Sequence, residues 1–219
     1  MKKYLTLFFF LVTGTISAQD NDSSNWVLSA SFGPSYHLFY ELSDFMTDQY
    51  NDLFNVTVDD NQKILSFYLN LNYEVTNEFK IGSFYQFDIG TIGFKYSNKN
   101  VDDINYSYSS NSFGISSGYQ FYKFGSVASS VNIFGGLIVH SLENSDLSIA
   151  VQNIQNSTSY GFHGGISSEN TIDLTDQTNL VVMFGGELKT SGTVKSNSSE
   201  YDFQSLNYFI RFGVNFELK

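Results

Sequence analysis

Few side chains in this 219-residue chain have the chemistry of a catalyst, since it contains three histidines and no cysteine. A histidine that contacts a serine and a carboxylate can activate the serine as a nucleophile. His37, His140 and His163 lie in three separate segments, and serine is so abundant that one will lie near any histidine by chance. The alternation of apolar and polar residues along the predicted strands also places all three on inward faces, away from a lipid substrate. We therefore expect neither an enzyme nor a cofactor. We also expect no metal site, since the inward glycine, serine and asparagine positions show no metal-ligand cluster.

Arg211 is the only arginine of the chain and lies on the polar face of the last predicted strand. A buried guanidinium needs a carboxylate partner, because an uncompensated charge is costly away from water. Glu187 on the neighbouring predicted strand and Asp88 on the third point inward and are the candidate partners. These residues form either an ion network that locks the interior or the charged constriction of a small pore. The network is favoured, because side chains just fill the interior of an eight-stranded barrel.

Residues 41–62 form the most acidic segment and contain neither lysine nor arginine. Apolar residues recur at helical spacing between Leu42 and Phe54, which predicts an amphipathic helix within a long loop. The loop is interpreted either as a solvated segment over the mouth of the barrel or as a docking or cation-binding site. The Asp-x-Asp-x-Asp-Gly spacing of a calcium loop is absent. The candidate interaction residues are Asp44, Asp48, Asp52, Asp59 and Asp60.

The elements that position these residues are strands in which apolar and polar residues alternate. In residues 206–219 every even position is apolar, while the odd positions include Asn207, Arg211 and Glu217. A period of two indicates a β-strand with one apolar face. Residues 26–40 show the same pattern, and their second face is small and polar. This combination is typical of a transmembrane barrel with lipid outside, whereas a soluble lipocalin-like barrel has an apolar lining.

Six further segments alternate in the same way, which predicts eight strands. The predicted ranges are 26–40, 63–75, 79–94, a fourth strand that follows residue 105 and ends at 122, 130–140, 157–169, 179–189 and 206–219. A long, aromatic edge strand without proline would promote aggregation unless both its sides were paired. Pairing the last strand with the first removes the edges. The predicted fold class is therefore all-β, an eight-stranded antiparallel up-and-down transmembrane barrel.

The turn between the second and third predicted strands sets their register. Residues paired across an antiparallel ladder share a face. The outward residues of both predicted strands have odd numbers, so the numbers of any two paired residues must have an even sum. A turn at residues 76–78 meets this condition. It places Glu74 opposite Lys80 on the inner face, as a candidate ion pair at the periplasmic end, and Phe67 opposite Phe87 on the outer face.

The connections between the predicted strands alternate in length. Those after the first, third, fifth and seventh strands are long and polar, and the others are short. Outer-membrane barrels have long extracellular loops and short periplasmic turns. This rhythm predicts that both chain termini are periplasmic and that the long loops are extracellular.

The N-terminal residues predict export. A basic start precedes a short apolar run at residues 4–12, and residues 16–18 have the small side chains of a cleavage site. The predicted organisation is a signal peptide at 1–18, a short polar tail at 19–25 and an outer-membrane barrel at 26–219. The formal net charge of -11 argues against a nucleic-acid partner, because phosphate backbones are bound by clustered lysine and arginine.

The export signal, the eight alternating strands, the loop rhythm and the closing sequence YFIRFGVNFELK at residues 208–219 resemble small bacterial outer-membrane barrels. The resemblance is to the OmpA-type transmembrane domain and the PorT-like barrels of Bacteroidota. It implies a non-enzymatic outer-membrane protein that acts through its extracellular loops. The implied partners are outer-membrane lipid and other outer-membrane or secretion proteins, for example in a larger complex. The alternatives are a narrow pore for small solutes and a lipid-modifying barrel enzyme.

Overall fold

The computed structural model describes residues 26–40, 56–58, 63–96, 104–144, 157–191, 193–195, 200–202 and 204–218. Its strands are β1 (Trp26–Tyr40), β2 (Val56–Val58), β3 (Lys63–Glu74), β4 (Phe79–Tyr96), β5 (Ile104–Phe124), β6 (Val127–Asn144), β7 (Ser157–Thr175), β8 (Thr178–Ser191), β9 (Thr193–Lys195), β10 (Glu200–Asp202) and β11 (Gln204–Leu218). The eight long strands, β1, β3 to β8 and β11, form the wall of a closed antiparallel barrel. Within these ranges, no helix has the length and apolar character needed to cross a membrane.

The barrel closes between its first and last strands. β1 pairs with β11 from Trp26 opposite Leu218 to Tyr40 opposite Gln204. Each long strand pairs with the long strands before and after it in sequence. The predicted eight-stranded up-and-down barrel is therefore confirmed. A shift of one residue would turn the apolar face of a strand into the interior, so the alternation of residue types fixes the register.

Several strands are longer than the sequence pattern predicted. β6 runs to Asn144 and β7 to Thr175, beyond the predicted ends at residues 140 and 169. The last strand covers Gln204–Leu218 rather than 206–219. In β6 the inward residues Ile138 and Leu142 are apolar and buried. Alternation between an apolar outer face and a polar inner face stops there, although backbone pairing continues.

One end of the barrel, which we call the turn end, holds the short connections. These are residues 75–78, 125–126 and 176–177, and Trp26 and Leu218 lie at the same end. In the two-residue turn between β5 and β6, Gly125 has a φ of 58°, a left-handed conformation that glycine adopts without steric cost. We call the opposite end, towards which the longer connections run, the loop end.

The hairpin of β3 and β4 has the predicted register. Glu74 faces Lys80, and Phe67 faces Phe87. The rings of Phe67 and Phe87 are stacked with their centroids 6.4 Å apart, and Phe32 of β1 stacks on Phe67 at the same distance. A row of aromatic rings therefore covers three adjacent strands on the outer surface.

At the loop end the structure describes three short strands, of which only β2 joins the wall. β2 pairs with the end of β4, with Val56 opposite Tyr96, and β9 pairs with β10 as a separate hairpin. The predicted helix between Leu42 and Phe54 lies outside the described residues, as do the predicted signal peptide, the predicted polar tail and the acidic interaction candidates. Those candidates are Asp44, Asp48, Asp52, Asp59 and Asp60.

The outer face of the barrel is apolar, as the alternation predicted. Its exposed large side chains include Phe32, Leu65, Phe67, Ile81, Ile89, Phe113, Ile115, Ile133, Leu137, Phe162, Ile166, Phe184, Leu188, Ile210 and Phe212. Outer-membrane barrels present a belt of this kind to lipid. We call this surface the apolar belt.

The interior is filled in layers. Along β4, from the turn end to the loop end, the inward side chains include Lys80, Phe84, Asp88 and Ile92 in that order. This order corresponds to a polar layer, an aromatic and aliphatic layer, a charged layer and an apolar layer at the loop end. The aromatic layer is one cluster of buried side chains, namely Tyr68, Phe84, Phe134, Val181, Met183 and Phe209. The charged layer is thus enclosed between two apolar layers.

Candidate functional site

The candidate site is the charged layer, which we call the central ion cluster. It consists of Asp88 on β4, His163 on β7, Glu187 and Lys189 on β8, and Arg211 on β11. All five are buried, and Asp88, Lys189 and Arg211 are 0% exposed. Inward side chains recur at every second position of a strand, so Glu187 and Lys189 project from the same face of β8. Closure of the sheet brings the residues of the other strands to them across the lumen.

Glu187 accepts more contacts than any other member of the cluster that the structure describes. Its carboxylate lies 3.3 Å from Arg211 Nη2, 3.1 Å from Lys189 Nζ and 3.0 Å from His163 Nε2. The side-chain amide of Gln86 donates to it at 3.0 Å. Several donors are needed here because a buried carboxylate has lost its hydration. The sequence predicted Glu187 as a partner of Arg211, and the structure brings the two side chains together.

Asp88 has an ion-pair partner that was not predicted from the sequence. Its carboxylate pairs with Lys189 and accepts hydrogen bonds from the Ser110 hydroxyl at 2.8 Å and the Gln86 amide at 3.1 Å. Asp88 was a candidate ion-pair partner of Arg211, but the cation that contacts its carboxylate is Lys189. A signal for Lys189 was present in the sequence, because it lies two positions after Glu187 and therefore on the same inward face.

Arg211 connects the charged layer to the aromatic layer. Its Nε donates to the Ser66 hydroxyl at 3.1 Å. Its guanidinium carbon lies 3.7 Å from the centre of the Phe209 ring and 5.1 Å from that of Tyr68. A planar guanidinium stacks favourably on aromatic faces and is more weakly hydrated than an ammonium. The interior therefore accommodates this cation by ring contacts as well as by its ion pair with Glu187.

The central ion cluster contains its own counter-charges. The carboxylates of Asp88 and Glu187 are matched by the cations of Lys189 and Arg211. The cluster is therefore neutral when His163 carries no charge. Removing one charge from such a cluster would leave another buried and uncompensated, which is strongly destabilising.

Three possible metal ligands also meet in the charged layer. Ligand atoms of His37, Asp88 and Glu187 all lie within 4.8 Å of one another. The sequence did not reveal that these three residues meet, because the alternation within a strand does not show which residues come together across the lumen. Lys189 contacts both carboxylates. A metal ion would have to compete with this attached cation, so we interpret the group as part of an internal ion network.

A second ion pair lies nearer the turn end. Lys80 Nζ lies 2.9 Å from Glu169, and the amides of Asn132 and Asn215 donate to the same carboxylate at 3.0 and 3.1 Å. The predicted partner of Lys80 was Glu74, which faces it in the ladder but is exposed. Ion pairs that water reaches contribute little to stability. The contact with buried Glu169, which the sequence did not reveal, is the more important one.

The three histidines are all buried inside the barrel, as predicted, but they lie in different contacts. His163 belongs to the central ion cluster. His37 Nε2 lies 3.0 Å from Ser35 Oγ, and His140 Nδ1 lies 3.2 Å from the Tyr108 hydroxyl. Such buried pairs are the usual way in which interior polar groups are satisfied. We interpret the histidines as structural.

The layered side chains obstruct the lumen at two successive levels. In the charged layer, Lys189 on β8 reaches Asp88 on β4. In the aromatic layer, the rings of Phe84 on β4 and Phe134 on β6 lie 5.6 Å apart between centroids. Both contacts join strands that are not neighbours in the sheet. The first contact ties opposite walls of the barrel together, and the second joins two strands that are separated by β5, so both levels occupy space that a pore would need.

No protein-family model matches the sequence, and no characterised protein sequence matches it. Several solved structures match the chain over most of its length. Neisserial surface protein A matches with a TM-score of 0.54 and 16% sequence identity, covering 90% of this chain and 99% of that one. OprG from Pseudomonas aeruginosa matches with a TM-score of 0.46 and 9% identity over 90% and 98%. Ail from Yersinia pestis matches with a TM-score of 0.43 and 11% identity over 89% and 100%. The first likeness shows that the chain has the fold of eight-stranded outer-membrane barrels.

Proposed function

We propose that this chain is a non-enzymatic barrel of the bacterial outer membrane that acts as a structural or interaction protein through its loop end. The observation that carries the proposal is the contrast between the two faces of the wall. The outside is the apolar belt, whereas the inside is filled by charged and aromatic side chains that neutralise and pack against one another. A soluble barrel needs a polar exterior, and a pore needs a water-filled lumen.

Strand length supports a location in the membrane. β1 and β11 have 15 residues each, and a tilted strand needs roughly 9–11 residues to cross the hydrocarbon region. Trp26 and Leu218 face each other at the turn end. Short connections are periplasmic in outer-membrane barrels, which supports periplasmic placement of both termini. The predicted signal peptide at residues 1–18 provides the export that this location requires.

The loop end is the proposed interaction surface. Residues 41–62 carry the acidic side chains Asp44, Asp48, Asp52, Asp59 and Asp60 without any compensating lysine or arginine. A concentration of one charge sign favours a partner with a basic surface and accelerates its association. The proposed partner is another outer-membrane or secretion protein, with this chain as an accessory subunit, and outer-membrane lipid surrounds the belt.

The proposal is tested by purifying the tagged protein in mild detergent from its native outer membrane. We expect a companion protein in fixed stoichiometry, and we expect it to be lost when the five loop aspartates are replaced by asparagine. The matched control carries asparagine in place of Asp173 and Asp176 at the turn end. A monomer without companions would overturn the accessory role, and recovery in the soluble periplasmic fraction would overturn the location.

Conductance separates the closed barrel from a narrow pore. In planar lipid bilayers the purified protein is expected to give no stepwise ion current, because the two inner layers obstruct the lumen. Currents that change on Arg211→Ala substitution would identify a pore constricted by this residue and would contradict the closed barrel.

A further inference from the structure

A cleft interrupts the apolar belt where β1 meets β11 and β3. It is a depression of about 680 Å³ that is open towards the outside and is bordered by the outward residues Pro34, Tyr36, Leu65, Tyr208 and Ile210. We call it the seam cleft. The inward-facing residues Ile64 and Phe209 also border it. Its volume lies within the range of small-molecule sites, roughly 300–1,000 Å³.

The backbone at the closing seam is irregular beside this cleft. Bridged pairs between β1 and β11 stop at Phe32 and resume at Ser35. Pro34, the only proline of the chain, lies in the gap and has no N–H to donate to β11. Next to it, a Cβ on Gly33 would overlap the carbonyl oxygen of Ile210. Proline within a sheet is confined to edges and irregular positions, so Pro34 is matched to the interruption of the ladder, whereas Gly33 allows the close approach of β11.

The lining of the seam cleft favours hydrocarbon. None of its residues carries a charge, and the one serine among them, Ser35, has its hydroxyl hydrogen-bonded to buried His37. The remaining residues are aliphatic, aromatic or proline, and the cleft is continuous with the exposed apolar side chains around it. Apart from Ser35 and the hydroxyls of Tyr36 and Tyr208, the lining has no polar side chain, so a charged ligand would lose its hydration here without gaining a counter-charge.

The depth of the seam cleft identifies the source of that hydrocarbon. Pro34 lies near the middle of β1, far from both ends of this 15-residue strand. At the middle of a strand that crosses a bilayer, the surrounding medium is the acyl chains of lipids, and neither head groups nor water are present. This step rests on the membrane location argued under the proposed function.

We propose that the seam cleft is a binding site for one acyl chain of a membrane lipid. The chain lies against Leu65, Tyr208 and Ile210 and fills the depression beside Pro34. It is held there for longer than the lipids that cover the rest of the belt, because the depression gives it more contact with the wall than the convex surface elsewhere.

A photoreactive phospholipid with a diazirine in its acyl chain tests this proposal. The full-length barrel is reconstituted in vesicles that contain the probe, irradiated, and mapped by peptide mass spectrometry. We expect labelling at Leu65, Tyr208 and Ile210 to exceed that at Ile133 and Leu137 by about fivefold or more. The latter two are on β6, which lies opposite β1 in the ring of strands, and they are at least as exposed as Leu65.

Two matched substitutions make the test specific. Leu65→Trp fills the seam cleft, and Leu137→Trp adds the same ring to the opposite wall. Both leucines are exposed on the outer face of the barrel. Labelling of Ile210 is expected to fall severalfold in the first variant and to remain unchanged in the second. Heat-modifiable gel migration confirms that each variant has folded. If Leu65→Trp does not fold, Pro34→Val, which restores a backbone donor, is expected to give the same loss.

The outcomes separate this inference from the proposed function. Equal labelling of both walls, or labelling of Ile210 that is unaffected by Leu65→Trp, would show ordinary surrounding lipid and overturn the acyl-chain site while leaving the membrane location intact. Absence of labelling on both walls would overturn the membrane location, and the acyl-chain site with it.

Discussion

Lys189 pairs with Asp88 across the lumen, while its ammonium also lies 3.1 Å from Oε1 of Glu187, two residues before it on β8. β4 and β8 are opposite each other in the ring of eight long strands. One side chain thus joins opposite walls and balances charge from two carboxylates. The central ion cluster therefore links opposite walls of the closed barrel at the same position at which it obstructs the lumen.

Lys189→Met is expected to lower the free energy of unfolding by about 3–5 kcal/mol, because it leaves a buried carboxylate without its cation. The double variant Lys189→Met with Asp88→Asn removes one charge of each sign and keeps the pair of Glu187 with Arg211. The double variant is expected to recover a substantial part of the lost free energy of unfolding. Urea titrations in the same detergent provide the measurement, and a double variant no more stable than the single one would contradict the role of charge balance.

Two neighbouring glycines of β6 are predicted to differ sharply in their tolerance of a methyl group. A Cβ on inward Gly136 would overlap the carbonyl oxygen of Phe113, whereas a Cβ on outward Gly135 would meet its nearest atom at 3.6 Å, an ordinary contact. Gly136→Ala should therefore cost about 1–3 kcal/mol, in the range of overpacked interiors. Gly135→Ala is the control and should fold normally. Heat-modifiable migration and urea midpoints compare the two variants, and equal behaviour would refute the assigned faces of β6.

The sequence was sufficient to predict the wall of the barrel because each strand carries that information locally. The pairing of Glu74 with Lys80, for example, follows from the turn length and the side-chain period, and the observed register agrees with it. Contacts across the lumen depend on the stagger of strands around the ring, which no single strand encodes. For this reason Lys189 was not recognised as the partner of Asp88.

The same limit applies to the seam cleft. Pro34 is visible in the sequence as the only proline, and it lies within an otherwise regular alternation. Its significance depends on its position relative to Ile210, a residue about 180 positions later in the chain. That relationship exists only when the last strand closes on the first in the observed register.

Arg211→Lys is expected to destabilise the barrel although the charge is retained. A lysine would lose the stacking on Phe209 at 3.7 Å and the Nε donor to Ser66. The expected cost is about 1–2 kcal/mol, the magnitude of a desolvated cation–aromatic contact. Arg211→Met should cost more, since Glu187 then loses a counter-charge. Urea unfolding of the two variants tests this order, and a lysine variant as stable as the parent would show that the ring contacts contribute nothing.

Phe67→Arg tests whether the apolar belt faces lipid. Phe67 lies on the outer face of β3, between the stacked rings of Phe32 and Phe87. An arginine on the lipid face near the middle of a membrane is expected to cost about 2–4 kcal/mol. Asn77→Arg, in the exposed turn between β3 and β4, is the control and should cost close to nothing. The measurement is the free energy of unfolding in phospholipid vesicles for both variants. Equal stabilities would mean that Phe67 lies in water, and the outer-membrane location would then be wrong.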